Sequence, residues 1–340
     1  MVTDANVYWV PQKLFTDRTL RNAFLRSIPA EYECRGLYEL DENGNGVFRV
    51  EKPFGSPNLD YFEGDYALEK QLADMDSAGV DRAVMKLPCI QEWIGLDLCR
   101  QFNDLAAEYA AASRGRMTAL AVVPPRADED CLEELDRCIH RLGMHGVQVS
   151  AHYGNHYLDD PMFRDFFRRV NELNVPVYVH HTPLPVEYSS LLAYNNLRRS
   201  YGRCVDQVTA VGRELFSGMF EELPNLKMIH SMLGGGFFAY TSLFFPSDSG
   251  NGRFKTDHEK VKAYLKNNIY FETSHSQPWG KEQLELAVKA LGADHIVYGS
   301  SYPVKMVWMT GGPAFVRELD ISPEEKEQIL NGNAQRLYGL

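Results

Sequence analysis

A chain of 340 residues, 44% hydrophobic and 12% aromatic, can bury a sizeable core as one large domain or two small ones. A net charge of −11 disfavours a nucleic-acid partner and suits a dispersed, soluble protein. No apolar run approaches the ~20 residues of a membrane span, the N-terminal Met1-Val2-Thr3-Asp4 does not read as a signal peptide, and six cysteines without a CxxC pair predict reduced, buried thiols in a cytoplasmic protein.

Residues 5–11 read as a first short strand, ended by Pro11. Residues 12–64 differ in kind: they are polar, turn at 41–46, and carry Pro and Gly at 53–57. They read as a long excursion over one rim of the fold, and a loop of that length points to a function. From Tyr66 to Ala78 the spacing of Leu68, Leu72 and Met75 predicts a helix, closed by Gly79. A strand at 81–87 ends at Pro88, and an Ala-rich helix covers 98–113. A strand at 117–123, a helix at 128–142 and a strand at 146–150 follow. Asp160-Pro161 opens the next helix, with Pro in its favoured first turn, and that helix runs to Leu173.

The run from Val175 to His181 is apolar, rich in β-branched residues, and ends in two histidines before Thr182-Pro183. Apolar side chains on both faces predict a fully buried strand. The alternation continues with a helix at 203–222, a strand at 226–230, and Gly234-Gly235-Gly236 leading into 237–245. A surface loop is expected at 246–253, then a helix at 257–266, a strand at 269–273, a helix at 280–291 and a strand at 295–299. Terminal helices fill 312–339. Strands alternating with helices about eight times predict an α/β fold, a (β/α)8 TIM barrel. Residues 1–340 then form a single domain with a long insertion after the first strand. No glycine fingerprint follows that strand, which weakens an open nucleotide-binding sheet.

In such a barrel the reactive groups lie just after each strand, on one rim. Those positions hold Asn6 and Tyr8, Ser150 and His152, His180 and His181, His230 and Ser231, Thr273 and His275, and Ser300 and Ser301. Five of the ten histidines fall at the ends of strands four to seven. Neutral imidazole is a good ligand for zinc, iron or manganese, so the cluster points to a metal; hydrogen-bonded rim histidines are the alternative. The rim is short of carboxylates, because alternation with Phe271 and Thr273 is expected to turn Glu272 away.

Several segments together carry a family resemblance: DANVYWVP at 4–11, LADMDSAGVDRAV at 72–84, GVQVSAHYGNHYLDDPMF at 146–163, PVYVHHTP, LKMIHSMLGG, IYFETS, GADHIVYGSSYP at 292–303 and the terminal NGNAQRLYGL. The chain resembles the amidohydrolase superfamily, in the branch containing aminocarboxymuconate semialdehyde decarboxylase and γ-resorcylate decarboxylase. The resemblance implies a metal held by the two histidines of an Asp-x-His-x-His opening, by histidines on strands five and six, and by an Asp after strand eight. Here Asn6 and Tyr8 stand at the opening positions and Ser301 stands for the Asp, while His180 and His230 are kept. His275 is the best candidate for a third ligand, with His152 and His181 as further ones. A residual zinc site on His180, His230 and His275 is therefore the expectation, with no catalytic residue assigned.

Two main functional readings follow from the resemblance. In the first, the chain is a non-catalytic subunit of a metal-dependent monooxygenase built from two related subunits, of which 2-aminoisobutyrate hydroxylase is the example. Its partner, a paralogous amidohydrolase-like subunit in a heterodimer or heterotetramer, then carries the iron or manganese. Residues 12–64 and 237–245 are its candidate contact surfaces, although 237–245 reads equally as a core helix. In the second, the chain is itself an active metal-dependent hydrolase or decarboxylase with an atypical His-rich mononuclear site. Its base then comes from Glu31, Glu33 or Asp60, which also read as solvated surface. A third reading, a small-molecule binding protein, has no positive feature in its favour.

Overall fold

The computed structural model describes residues 1–182, 185–246, 257–274 and 279–340. His275 and residues 247–253 of the expected surface loop lie outside them. Strand β1 (Thr3–Tyr8) opens the chain, and β2 (Arg35–Leu40), β3 (Gly46–Glu51) and β4 (Pro57–Phe62) form an antiparallel sheet of their own. Next come β5 (Arg82–Lys86), β6 (Met117–Ala119), β7 (Ala121–Val122) and β8 (Val147–Ser150). A small hairpin, β9 (His152–Tyr153) and β10 (His156–Tyr157), precedes β11 (Val177–His180), β12 (Met228–His230), β13 (Ile269–Glu272) and β14 (Ile296–Val297).

Two parallel sheets, β1-β5-β6 and β7-β8-β11-β12-β13-β14, join at both edges. On one side β6 runs straight into β7, and the Leu120 amide donates to Met85 O (3.2 Å). On the other, Ala5 N donates to Tyr298 O (2.8 Å), Ser301 N to Asn6 O (2.8 Å) and Tyr8 N to Tyr302 O (2.7 Å). The result is a closed cylinder of eight staves, with β6 and β7 forming one. Parallel neighbours need crossover segments, and helices supply them: α1 (Leu68–Ala78), α2 (Leu96–Ala112), α3 (Glu129–His140), α4 (Arg164–Leu173), α5 (Gly202–Phe216), α6 (His258–Asn268), α7 (Lys281–Leu291) and α8 (Met306–Arg317). Their ends follow local chemistry. Asp128 caps α3 by accepting from Cys131 N, and Gly79 closes α1 with φ +67°. No helix among the described residues is long and apolar enough to cross a membrane.

Successive side chains on a strand point to opposite faces, and this decides what enters the cylinder. Ala5, Val84, Leu120, Tyr178, Ile229, Tyr270 and Val297 pack as one interior cluster, closed at one end by Ala334 and Tyr338. Residues two places further on then face inward as well: Lys86, His180, Ser231 and Glu272. The inward position of Glu272 corrects the sequence expectation. Phe271 packs outward, stacked on Phe237 (centroids 6.0 Å apart), while the Tyr178 hydroxyl donates to Glu272 Oε2 inside the barrel (2.7 Å).

Residues 12–64 are not the polar loop that their composition suggests. Phe15, Phe24, Phe48, Val50 and Tyr61 are buried there. Phe48 meets Phe15, Phe24 and Tyr38 with centroids 5.2, 5.6 and 5.1 Å apart. The layer is pinned to the barrel by the Tyr61 hydroxyl, which donates to Pro88 O (2.9 Å). All six cysteines are free thiols, with only Cys204 partly exposed.

Gly299 makes room for Glu272, because a Cβ at 299 would overlap the Glu272 carboxylate. Gly299→Ala is expected to destabilise the fold by about 1–3 kcal/mol in urea unfolding. Gly64→Ala, which meets open space, is expected to stay within about 0.5 kcal/mol of the parent.

Candidate metal centre

Three side chains converge at the mouth of the cylinder. His180 ends β11 facing inward, His181 follows it, and Cys89 lies just past β5 behind Pro88. Cys89 takes a left-handed backbone (φ +48°), a conformation a non-glycine residue adopts only when its surroundings impose it. Its Sγ lies 3.6 Å from His180 Nδ1, 3.8 Å from His180 Nε2 and 3.9 Å from His181 Nε2. All three residues are buried, and their ligand atoms lie within 4.8 Å of one another.

The hydrogen bonds fix which ring nitrogens face the centre. His180 Nδ1 donates to His181 O (2.7 Å), which leaves Nε2 as an acceptor for the Tyr8 hydroxyl at 3.1 Å. His181 Nδ1 lies 3.2 Å from Ser231 Oγ, so its Nε2 turns toward Cys89. Partners of this kind orient metal-binding imidazoles. Burial pushes the Cys89 thiol up to about 11, although the Arg203 and Lys86 charges pull the other way. A bound cation removes such a proton outright. Bonds of about 2.0–2.3 Å place the donors on a tetrahedral zinc about 3.3–3.6 Å apart. The observed spacings are slightly wider, and one thiolate with two imidazoles suits zinc better than a hard ion. The residues therefore fit one ion of this type.

The structure treats the other predicted residues differently. His230 faces out of the cylinder: Nδ1 lies 2.9 Å from Gln207 Oε1 and Nε2 2.8 Å from Glu214 Oε2, both on α5. It is not brought together with His180. The reason is strand parity, since Ile229 takes the inward position of β12. His275 lies outside the described residues. His152 belongs to a separate network, with Nε2 2.8 Å from Thr182 Oγ1 and 3.5 Å from Asp206. Asn6 and Ser301 bond each other (3.0 Å), and Asn6 also donates to Glu272 (3.1 Å). Asp60 pairs with Arg49 at 3.1 Å. None of Glu31, Glu33 and Asp60 lines the cavity over the donors.

Behind Tyr8 lies a buried charge layer. Lys86 Nζ sits 4.3 Å from the Tyr8 ring centroid and 4.5 Å from that of Tyr178, with no hydrogen-bond partner among the described residues. Burial pushes Lys86 down to about 7 and Glu272 up to about 7, each against the attraction of the other. In front of Tyr8 opens a cavity of about 360 Å3, reached by Cys89 and His181 and walled by Met232, Trp279, Arg199, Arg203 and Lys305. Gly235 (φ +67°) lets the turn after β12 lie against α5, since a Cβ there would strike the Cys204 backbone.

Sequence reasoning named His180 and His181 among the rim residues but passed over Cys89 as an inert thiol. The available signal was its position, directly after a strand stopped by proline and on the histidine rim.

Comparison with known proteins gives these residues a family setting. The amidohydrolase family model matches residues 67–340. A γ-resorcylate decarboxylase of Rhizobium sp. is 26% identical over 330 residues, covering 87% of this chain and 98% of its own. The 2-amino-3-carboxymuconate-6-semialdehyde decarboxylase of Dictyostelium discoideum is 26% identical over 251 residues, covering 72% of this chain and 67% of its own. Among solved structures, a dihydroxybenzoic acid decarboxylase from Polaromonas sp. with bound manganese superposes with a TM-score of 0.72 at 19% identity, over 100% of this chain and 98% of that one. At that identity the likeness speaks for the barrel fold alone. With the family model matched over well more than half its length, the chain belongs to the amidohydrolase family, in the branch of the γ-resorcylate and aminocarboxymuconate semialdehyde decarboxylases.

Proposed function

We propose that this chain is a metal-dependent enzyme of the decarboxylase or hydrolase type. It holds one divalent ion, zinc by its donor set, on Cys89, His180 and His181, and takes a small carboxylated molecule in the cavity above them. The observation that carries this reading is the convergence of three buried donors, two of which, Cys89 and His181, line a cavity of about 360 Å3. The decarboxylase relatives support the reaction class.

When bound, the ion supplies a Lewis acid that polarises a carboxylate or carbonyl oxygen. The chain's own residues do the rest. Arg203 and Lys305 draw an anion toward the donors, and Met232 and Trp279 keep water from the carbon frame. Tyr8 keeps its proton, since burial pushes its phenol above the usual range, and presents it at the cavity edge. A carbon that loses CO2 needs one proton in exchange, and the Tyr8 hydroxyl, which lines the cavity and would be released from His180 Nε2 when that nitrogen takes the ion, is the donor.

A second reading keeps the metal site as structural and makes the chain a non-catalytic subunit, with iron or manganese in a paralogous partner. One observation favours it: among the described residues no carboxylate lines the cavity, and Ser301 stands where the resemblance implies an Asp. The purified chain would then hold zinc yet stay inactive, and a paralogue would co-purify with it in fixed ratio.

Metal analysis after chelation and reloading is expected to find one zinc per chain. Cys89→Ser and His181→Ala are each expected to weaken zinc binding by at least tenfold. His230→Ala is expected to keep the ion but lose about 3 kcal/mol of stability, because it strands the buried Glu214. Zinc retained in His181→Ala but lost in a folded His230→Ala would return the site to His180 and His230, and His275→Ala tests the remaining predicted ligand. For activity, CO2 release from small aromatic and unsaturated carboxylates by the zinc-loaded chain is expected, and its loss in Tyr8→Phe with zinc still bound would mark the proton donor.

A further inference from the structure

Cys89 sits in a turn that its own chemistry does not favour. Its left-handed backbone (φ +48°) is strained for a residue with a Cβ and persists only where neighbours over-determine it. Those neighbours can be named. The ladder between β5 and β6 ends at Met85 and Ala119, and the Leu120 amide adds one last bond to Met85 O. From there β7 pairs with β8 instead, so Leu87 lies beyond the ladder. The carboxamide of Gln148, on β8, takes the place of a neighbouring strand. Its Oε1 accepts from Leu87 N (2.8 Å) and its Nε2 donates to Leu87 O (2.7 Å). Gln148 is fully buried. Two further bonds hold the same turn: the Tyr61 hydroxyl donates to Pro88 O (2.9 Å), and Gln91 Nε2 donates to Ser150 Oγ (2.8 Å).

A side chain that satisfies both backbone groups of one residue fixes the peptide planes on either side of it. Here that residue stands two places before Cys89. Without the amide, the buried N–H and C=O of Leu87 lose their partners, and the turn has to shift to find others. Any such shift carries the sulfur, which lies 3.8 Å from His180 Nε2 and 3.9 Å from His181 Nε2. The two imidazoles are held separately, by β11 and by the Ser231 contact. We propose that Gln148, assisted by Tyr61, is a positioning residue for the Cys89 sulfur and decides whether it joins the imidazoles on the ion. The inference rests on the reading of Cys89, His180 and His181 as the metal site. Asn103, on α2, supplies a matched comparison. It is also buried, and its carboxamide makes the same pair of bonds to Val122 (3.0 Å each), which is no part of the 87–91 turn.

Cobalt titration of the chelator-treated chain, followed by absorption, tests this, because a thiolate on cobalt gives a near-ultraviolet charge-transfer band that imidazole does not. The parent is expected to show the band. Gln148→Met, close in volume but without the amide, is expected to lose it and to bind cobalt at least about tenfold more weakly. Tyr61→Phe is expected to weaken the band in the same direction. Asn103→Leu, which removes a clamp of the same kind elsewhere, is expected to keep the parent's band. A full band in folded Gln148→Met, or an equal loss in Asn103→Leu, would overturn the assignment. If Gln148→Met does not fold, Tyr61→Phe decides alone, and an unchanged band there overturns it. A parent that binds cobalt without the band, or not at all, overturns the metal reading together with this one, whereas a parent with the band and indifferent variants overturns this one only.

Discussion

One lysine ammonium, sealed inside a barrel with no hydrogen-bond partner among the described residues, constrains everything around it. Lys86 Nζ has two tyrosine ring faces and the field of Glu272 in place of water. Ring faces stabilise a desolvated cation modestly, and an opposite charge in a low-dielectric interior does more. Neither balances full dehydration, which is why burial drives both groups toward their neutral forms. The barrel mouth is thus built on a layer in which burial drives Lys86 and Glu272 toward neutrality while the charge of each favours that of the other. Gly299 and the inward face of β13 exist in their present form to permit this.

That layer explains the residues that differ from the family pattern. Asn6, Tyr8 and Ser301 are not simply missing ligands. Asn6 spends its two N–H bonds on Glu272 and Ser301, and Tyr8 presents its ring to Lys86 and its hydroxyl to His180. These bonds tie the three positions into one uncharged lining above Lys86 and Glu272. Histidines at Asn6 and Tyr8 would add imidazoles beside a buried ammonium, and an Asp at Ser301 would add a second carboxylate beside Glu272. The donors that remain have gathered instead on the opposite wall, where the strained Cys89 turn brings sulfur to His180 and His181.

The barrel was legible in the chain because helix and strand periods alternate cleanly, with Gly79, Pro88 and Pro124 as punctuation. Which side of a strand faced inward was not. A buried parallel strand is apolar on both faces, so LKMIH and IYFET carry no polar stripe to fix parity. His230 was therefore expected on the rim although it pairs with Gln207 and Glu214 outside the cylinder, and Glu272 was expected outside although it lies within. The small sheet of β2, β3 and β4 escaped notice for a related reason. Its strands alternate apolar and charged residues over few positions, and their charged faces dominate the composition. Phe48 and Tyr61 were visible only as isolated aromatics until packing showed them against Phe15 and Pro88.

Charge balance ties the metal donors to the cavity above them. A divalent ion on one thiolate and two neutral imidazoles keeps a surplus positive charge, whereas a carboxylate ligand would have reduced it. Arg199, Arg203 and Lys305 add to that surplus, and among the described residues of the lining there is no acid. In a cleft with low-dielectric walls such a field reaches well into the opening and raises the local concentration of anions. Ser301 stands where the resemblance implies an Asp, so the acids that temper this field among the described residues lie beyond the lining, as Asp60 does for Arg199.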